Sequence, residues 1–188
     1  MNVLSKVMFL SIICSCMAGG WAGAQGIYFS KKATVSFFSK APIENIEADN
    51  GNVVFIVDLP KGKVEMEVLI KAFEFEKKLM QQHFNENYLE SDKYPKAVFK
   101  GQFINPIMLD PSKEGDYTVR IKGDLTMHGV TKSIETDGKL TIRGGKVMAG
   151  TELYILLSDY NIRIPNLVAD NISRKVLIKL NASLEPFK

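Results

Sequence analysis

The chain has 188 residues, 46% of them hydrophobic and 24% charged, with a formal net charge of +3. Length and composition describe one ordinary globular domain. A small, evenly spread positive charge with no basic run and no aromatic-basic interleaving argues against a nucleic-acid partner.

Lys6 is followed by an apolar run from Val7 to Met17, then small residues, then Ala22-Gly23-Ala24. A positive start, a short apolar core and an A-x-A site together read as a secretory leader cut before Gln25. Residues 1–24 are therefore expected to be a signal peptide and residues 25–188 a single domain, periplasmic or secreted. The apolar run is too short for a bilayer span, which takes about 20 residues. Ile13-Cys14-Ser15-Cys16 loosely imitates a lipoprotein box, but a cysteine at its second position disfavours anchoring at Cys16. Cys14, Cys16 and Trp21 all precede the expected cut. The exported domain then has no disulfide partner and no thiol chemistry, and its stability must come from core burial.

Ala33 to Ser39 reads as the first strand, with Ala33, Val35 and Phe37 on one face. Ala41 to Asn52 is polar and opens with Ala-Pro, so a turn or irregular segment is expected. Val53, Phe55, Val57 and Leu59 give a second strand, stopped by Pro60-Lys61-Gly62. Val64, Met66, Val68, Ile70 and Ala72 give a third. From Phe73 the period changes: Phe75 with Leu79 and Met80 with Phe84 are spaced i, i+4, which predicts a short amphipathic helix from about Glu76 to Asn85.

Alternation returns at Ala97, Phe99, Gly101 and Phe103, and a Pro/Asp/Ser/Gly-rich loop covers Asn105 to Asp116. Val119, Ile121, Leu125 and Met127 then alternate up to His128-Gly129. A two-residue loop ending in glycine suits a hairpin, because the primed turns need φ > 0. Val130, Ile134, Leu140 and Ile142 follow. After a turn at Gly144-Gly145, Val147, Ala149, Thr151, Leu153, Ile155 and Leu157 make a long strand. Asp159 to Ala169 has no clean period and reads as irregular. Val176, Ile178, Leu180, Ala182 and Leu184 close the chain.

About eight strands, one short helix and no βαβ rhythm predict an antiparallel all-β domain. A closed barrel is favoured over a sandwich because closure removes the open edges of such long strands.

Catalytic and metal signatures are sparse. His83 and His128 are the two histidines, and neither has a second ligand at metal spacing; they read as a helix residue and a turn residue. No G-x-S-x-G, P-loop or G-x-G-x-x-G is present, so no enzyme and no cofactor are expected. Asn171-Ile172-Ser173 and Asn181-Ala182-Ser183 match the glycosylation acceptor pattern, which matters only in a glycosylating pathway.

What remains is volume. An eight-stranded barrel either fills with its own side chains or holds one small ligand. The inward set is Phe37, Phe55, Met66, Phe99, Phe103, Ile121, Leu125, Met127 and Ile155, the candidate ligand-binding residues. Small residues on the same faces (Ala33, Gly101, Gly123, Gly138, Ala149) would leave room among the aromatics. A long hydrocarbon gains about 0.8 kcal/mol per buried CH₂, so ten to fifteen such groups would bind tightly without a catalytic group. In the hairpin, Leu125 opposes Lys132, which turns a lysine toward the apolar side near one barrel end. Lys132 is either a rim residue whose ammonium reaches water or the partner of a ligand's polar head.

Gly123 to Lys132, GDLTMHGVTK, resembles the G-x-L-T-x-x-G-V-T-K signature of the YceI-like family. His83-Phe84-Asn85-Glu86-Asn87-Tyr88-Leu89, followed by Tyr94-Pro95-Lys96-Ala97-Val98-Phe99, resembles that family's helix end and K-Y-P-x-x-x-F strand. Ser158-Asp159-Tyr160-Asn161-Ile162 stands where the family has a D-Y/F-x-I element. The similarity spans about Lys31 to Leu184, and the chain departs from the commoner pattern at Ser39-Lys40-Ala41-Pro42-Ile43-Glu44. The resemblance implies an exported bacterial protein with a lipocalin-like barrel that holds a polyisoprenoid or similar amphiphile for transport, storage or sensing. The expected partner is thus an isoprenoid or other long-chain lipid, with no nucleic acid and a homodimer left open. A structural or stress-response barrel with a filled core, or an enzyme acting on a bound amphiphile, are the alternatives.

Overall fold

The computed structural model describes residues 26–40, 45–105, 110, 112–144, 146–165 and 172–187. The expected leader with Cys14, Cys16 and Trp21 lies outside these residues. So do residues 41–44, the middle of the Asn105–Asp116 loop, Gly145, residues 166–169 of the irregular stretch and Asn171.

Alternating side chains along long strands can bury one face only by pairing around a common core. The strands are β1 (Ile27–Ser39), β2 (Ile46–Asp58), β3 (Lys63–Leu69), the two-residue β4 (Glu74–Phe75), β5 (Lys96–Phe103), β6 (Gly115–Met127), β7 (Val130–Arg143), β8 (Lys146–Leu156) and β9 (Lys175–Pro186). Their order is β1-β9-β8-β7-β6-β5-β3-β2, and β1 pairs with β2 to close the ring; β4 adds a short rung on β2. All pairings are antiparallel. The result is a closed, eight-stranded, lipocalin-like barrel with one short helix, α1 (Lys78–His83), continued by a wider π turn over Phe84–Tyr88.

Several boundaries differ from the expectation. Ile46 to Asn52 is strand, and the reason it escaped notice is a bulge. Ile46, Ala48 and Asn50 face inward, Gly51 and Asn52 are exposed, and Val53 faces inward again, so parity flips. Asn50 makes the flip possible. Its side chain is 1% exposed, donates from Nδ2 to the Leu69 carbonyl at 2.8 Å and accepts the Asn52 N–H at 2.8 Å. A matching irregularity in β1, between Ser30 and Ala33, hides the first turns of that strand from Ile27 onward. The third strand stops at Leu69, and Ile70–Ala72 is a 3₁₀ turn. The helix is shorter than the predicted Glu76–Asn85, and Leu79 on it is 62% exposed.

The β6–β7 hairpin follows the expected register, with Met127 opposite Val130 and Leu125 opposite Lys132. His128 and Gly129 take φ of 50° and 74°, as a primed turn requires. A Cβ on Gly129 would also lie 2.6 Å from the Tyr94 ring.

Connections sort to two ends. The β2–β3 and β7–β8 turns and the start of β1 lie at one end; the β6–β7 turn, the excursion over 70–95 and the β8–β9 connection lie at the other. The first end is packed solid by buried Tyr28, Leu59, Ile142, Val147 and Leu184.

Candidate functional site

The second end is different. Inward side chains from all eight barrel strands surround a cavity of about 400 Å³, a volume within the range of ligand pockets. Its floor is formed near Val57, Val64, Val119 and Leu140, and its walls carry Phe55, Met66, Phe99, Phe103, Ile121, Leu125, Ile155 and Ile178. The few polar residues among the lining are Ser39, His83, Tyr88, Thr136, Lys139 and Thr151, set within an otherwise apolar wall. Lys139 alternates to the outside, where its ammonium stands 3.6 Å from Asp116, and His83 is exposed. A guest's buried part must therefore be uncharged, since an unpaired charge would lose its hydration with nothing in return.

A roof covers this end. Phe37, Phe73, Phe75 and Phe84 form an aromatic cluster, with Phe37 stacked on Phe84 at 5.4 Å and Phe75 5.0 Å from Phe84. Such ring pairs add about 0.5–1.5 kcal/mol each beyond their buried area. Met80, Tyr88 and Leu89 complete the roof from the excursion, and Leu157 and Ile162 from the β8–β9 connection.

Nine of the ten predicted ligand residues line this cavity: Phe37, Phe55, Met66, Phe99, Phe103, Ile121, Leu125, Met127 and Ile155. Lys132 does not. Its register places it on the inward parity, but it sits near the turn, where the hairpin reaches the barrel rim, and it is exposed. The small residues also act differently from the expectation. The Phe99 ring fills the space over Gly101, and a Cβ on Gly123 would lie 2.4 Å from the β5 backbone. These two glycines allow close strand approach and leave no room for a guest, whereas Gly138 and Ala149 do border the cavity. The roof residues Phe73, Tyr88, Leu89 and Ile162 were not among the predicted ligand set. Phenylalanine recurring at 73, 75 and 84 is the signal that could have marked them.

Tyr160 sits beside this end, 1% exposed, and its hydroxyl has no hydrogen-bond partner among the described residues. Burial, reinforced by the nearby Asp159 carboxylate, pushes its phenol up to about 12. The folded-state value is raised above the ordinary 10, so the associated stability is complete below about pH 10 and is lost as pH climbs through about 12. Tyr160→Phe should flatten the loss of stability over that interval in urea titrations. At neutral pH it should be neutral or slightly stabilising, because no hydrogen bond is removed.

Among the described residues no group of three or more His, Cys, Asp or Glu could hold a metal ion.

The model of the YceI-like domain family matches residues 29–184. Among solved structures, a polyisoprenoid binding domain from Saccharophagus degradans, implicated in plant cell wall breakdown, superposes with a TM-score of 0.72 at 15% identity. That match covers 86% of this chain and 98% of that one. BcnA of Burkholderia cenocepacia gives a TM-score of 0.67 at 19% identity, covering 81% and 96%. The YCEI protein of Campylobacter jejuni gives 0.50 at 17%, covering 97% and 92%. At these identities the likeness is one of fold. No curated protein matches the chain significantly.

Proposed function

This chain belongs to the YceI-like family, and on that premise we propose that it is an exported carrier whose barrel holds a polyisoprenoid or similar amphiphilic lipid for transport, storage or sensing. The observation that carries this reading is the cavity of about 400 Å³, apolar nearly throughout and left unfilled by the protein's own side chains. The polyisoprenoid binding domain from Saccharophagus degradans shares the fold over 86% of this chain. Export rests on the leader-like segment before Gln25.

Shape dictates orientation. With one end packed by strand side chains and the other roofed by the excursion and the β8–β9 connection, a hydrocarbon tail points to the packed end and the polar group stays beside the roof. Each CH₂ taken from water contributes about 0.8 kcal/mol, from which the loss of ligand freedom must be subtracted. Binding, and not catalysis, is the chemistry these walls support. His83 is exposed at the mouth, and both ring nitrogens of His128 are engaged by other groups.

Native mass spectrometry of protein purified from its own host tests the reading. One lipid mass per chain, released by organic extraction, is expected. Protein that carries no lipid and takes none from host lipid extract would reject it.

A further inference from the structure

The eight barrel seams differ in length, and the one between β7 and β8 stops well before either strand ends. Its pairing begins at Arg143 opposite Lys146 and ends at Gly138 opposite Thr151. Both strands continue beyond that rung, β7 through residues 137 to 130 and β8 through 152 to 156, and among the described residues they pair there only with β6 and β9 on their far sides. Ile134 and Thr136 on one lip, and Leu153 and Ile155 on the other, border the cavity. At the apex two hydroxyls hold the lips together: Thr136 Oγ1 and Thr151 Oγ1 are 3.2 Å apart, and Thr151 donates to the Asp137 carbonyl at 2.7 Å.

Below the apex the turn Leu157–Tyr160 packs against β7 as a strap. His128 fastens it. The Nδ1 atom is 2.9 Å from the Tyr160 carbonyl oxygen, and Nε2 is 2.8 Å from Glu90 Oε2 in the excursion that forms the roof. Hairpin, strap and roof therefore meet on one imidazole, with the Tyr94 ring edge-on beside it at 4.8 Å. Among the described residues, the non-glycine positions with positive φ are Glu90 (43°), His128 (50°) and Asn161 (56°). They fall one in each of these three segments. Backbone held in that region persists only where its surroundings force it, and such residues collect at clamps and switches.

We propose that the unpaired β7–β8 seam is the port through which the hydrocarbon part of the amphiphile passes, and that the Leu157–Asn161 strap, fastened by His128, is its gate. This rests on the carrier reading above. Among the described residues the lips share no backbone rung below Thr151, so parting them breaks only hydroxyl bonds: Thr136 to Thr151, Thr136 to the Glu152 carbonyl at 3.3 Å, and Thr151 to the Asp137 carbonyl. Release of one imidazole frees the strap and the roof together.

The test is a reversible lock. In the full chain with Cys14→Ser and Cys16→Ser, Thr136→Cys and Thr151→Cys place two thiols where the hydroxyl oxygens are 3.2 Å apart, within reach of a disulfide. Uptake of NBD-labelled geranylgeraniol from phosphatidylcholine vesicles is followed by stopped-flow fluorescence. Oxidation should slow uptake and release at least about tenfold, and reduction should restore both, since a gate acts on rates. His128→Ala should accelerate release about tenfold and raise hydrogen exchange over residues 157–162. Glu90→Gln, which leaves the imidazole in place, should do so more weakly. Equal rates in oxidised and reduced protein would overturn the port, with cargo passing through the roof instead. A reduced protein that never takes up the probe would sink the carrier reading along with it.

Discussion

Met66→Trp should remove at least nine-tenths of lipid binding while leaving the barrel folded. Met66 projects from β3, opposite Phe55 on β2 and Phe99 on β5, and borders the cavity on the side facing β8 across the ring. A tryptophan there would extend into the cavity that Met66 borders. Displacing two methylenes of a bound chain is enough for a tenfold effect, at about 0.8 kcal/mol per CH₂ against 1.4 kcal/mol per decade. Titration with labelled geranylgeraniol measures the loss, and a thermal midpoint within a few degrees of wild type shows that the fold is intact. Undiminished affinity in a folded variant would place the lipid elsewhere.

Gly123→Ala should have the largest effect on stability, about 3 kcal/mol, at the upper end of the cost of overpacking. The added methyl would lie 2.4 Å from the Gly101 Cα and from the Lys100 carbonyl oxygen. These are backbone atoms of a paired strand and cannot rotate away as a side chain would. Gly101 has no compensating freedom, because the Phe99 ring lies across it. The expected drop in melting temperature is about 10 °C for a domain of this size. Ala at the exposed Gly51, where a Cβ meets nothing within 4 Å, is the control that should change little.

The strands were legible because their inward and outward residues alternate without interruption over much of β5 to β9. The hairpin at His128-Gly129 and its register could be read directly, and the wall of the cavity followed from it. Alternation fails where a bulge flips parity, which is why Ile46 to Asn52 read as irregular. It also cannot say where a barrel ends. Lys132 obeys the inward parity, yet at the rim there is no wall left to enclose it. The roof was the least legible part. Its fastening joins His128 to Glu90 and Tyr160, 38 and 32 positions away, and such contacts leave no periodic trace. The glycines misled for a related reason: a missing side chain can mean free volume or a close neighbour, and only the paired strand decides which.

The packed end of the barrel, closed by Tyr28, Leu59, Ile142, Val147 and Leu184, makes the molecule a cup and not a pipe. If the barrel carries lipid as proposed, its cargo cannot flow through and has to come out the way it went in. On that reading every donor and every acceptor, whether membrane or protein, competes for the same end of the barrel and cannot be engaged at once. Transfer between two membranes should accordingly proceed by alternating visits, with parallel double-reciprocal plots in donor and acceptor concentration, and never through a bridging complex.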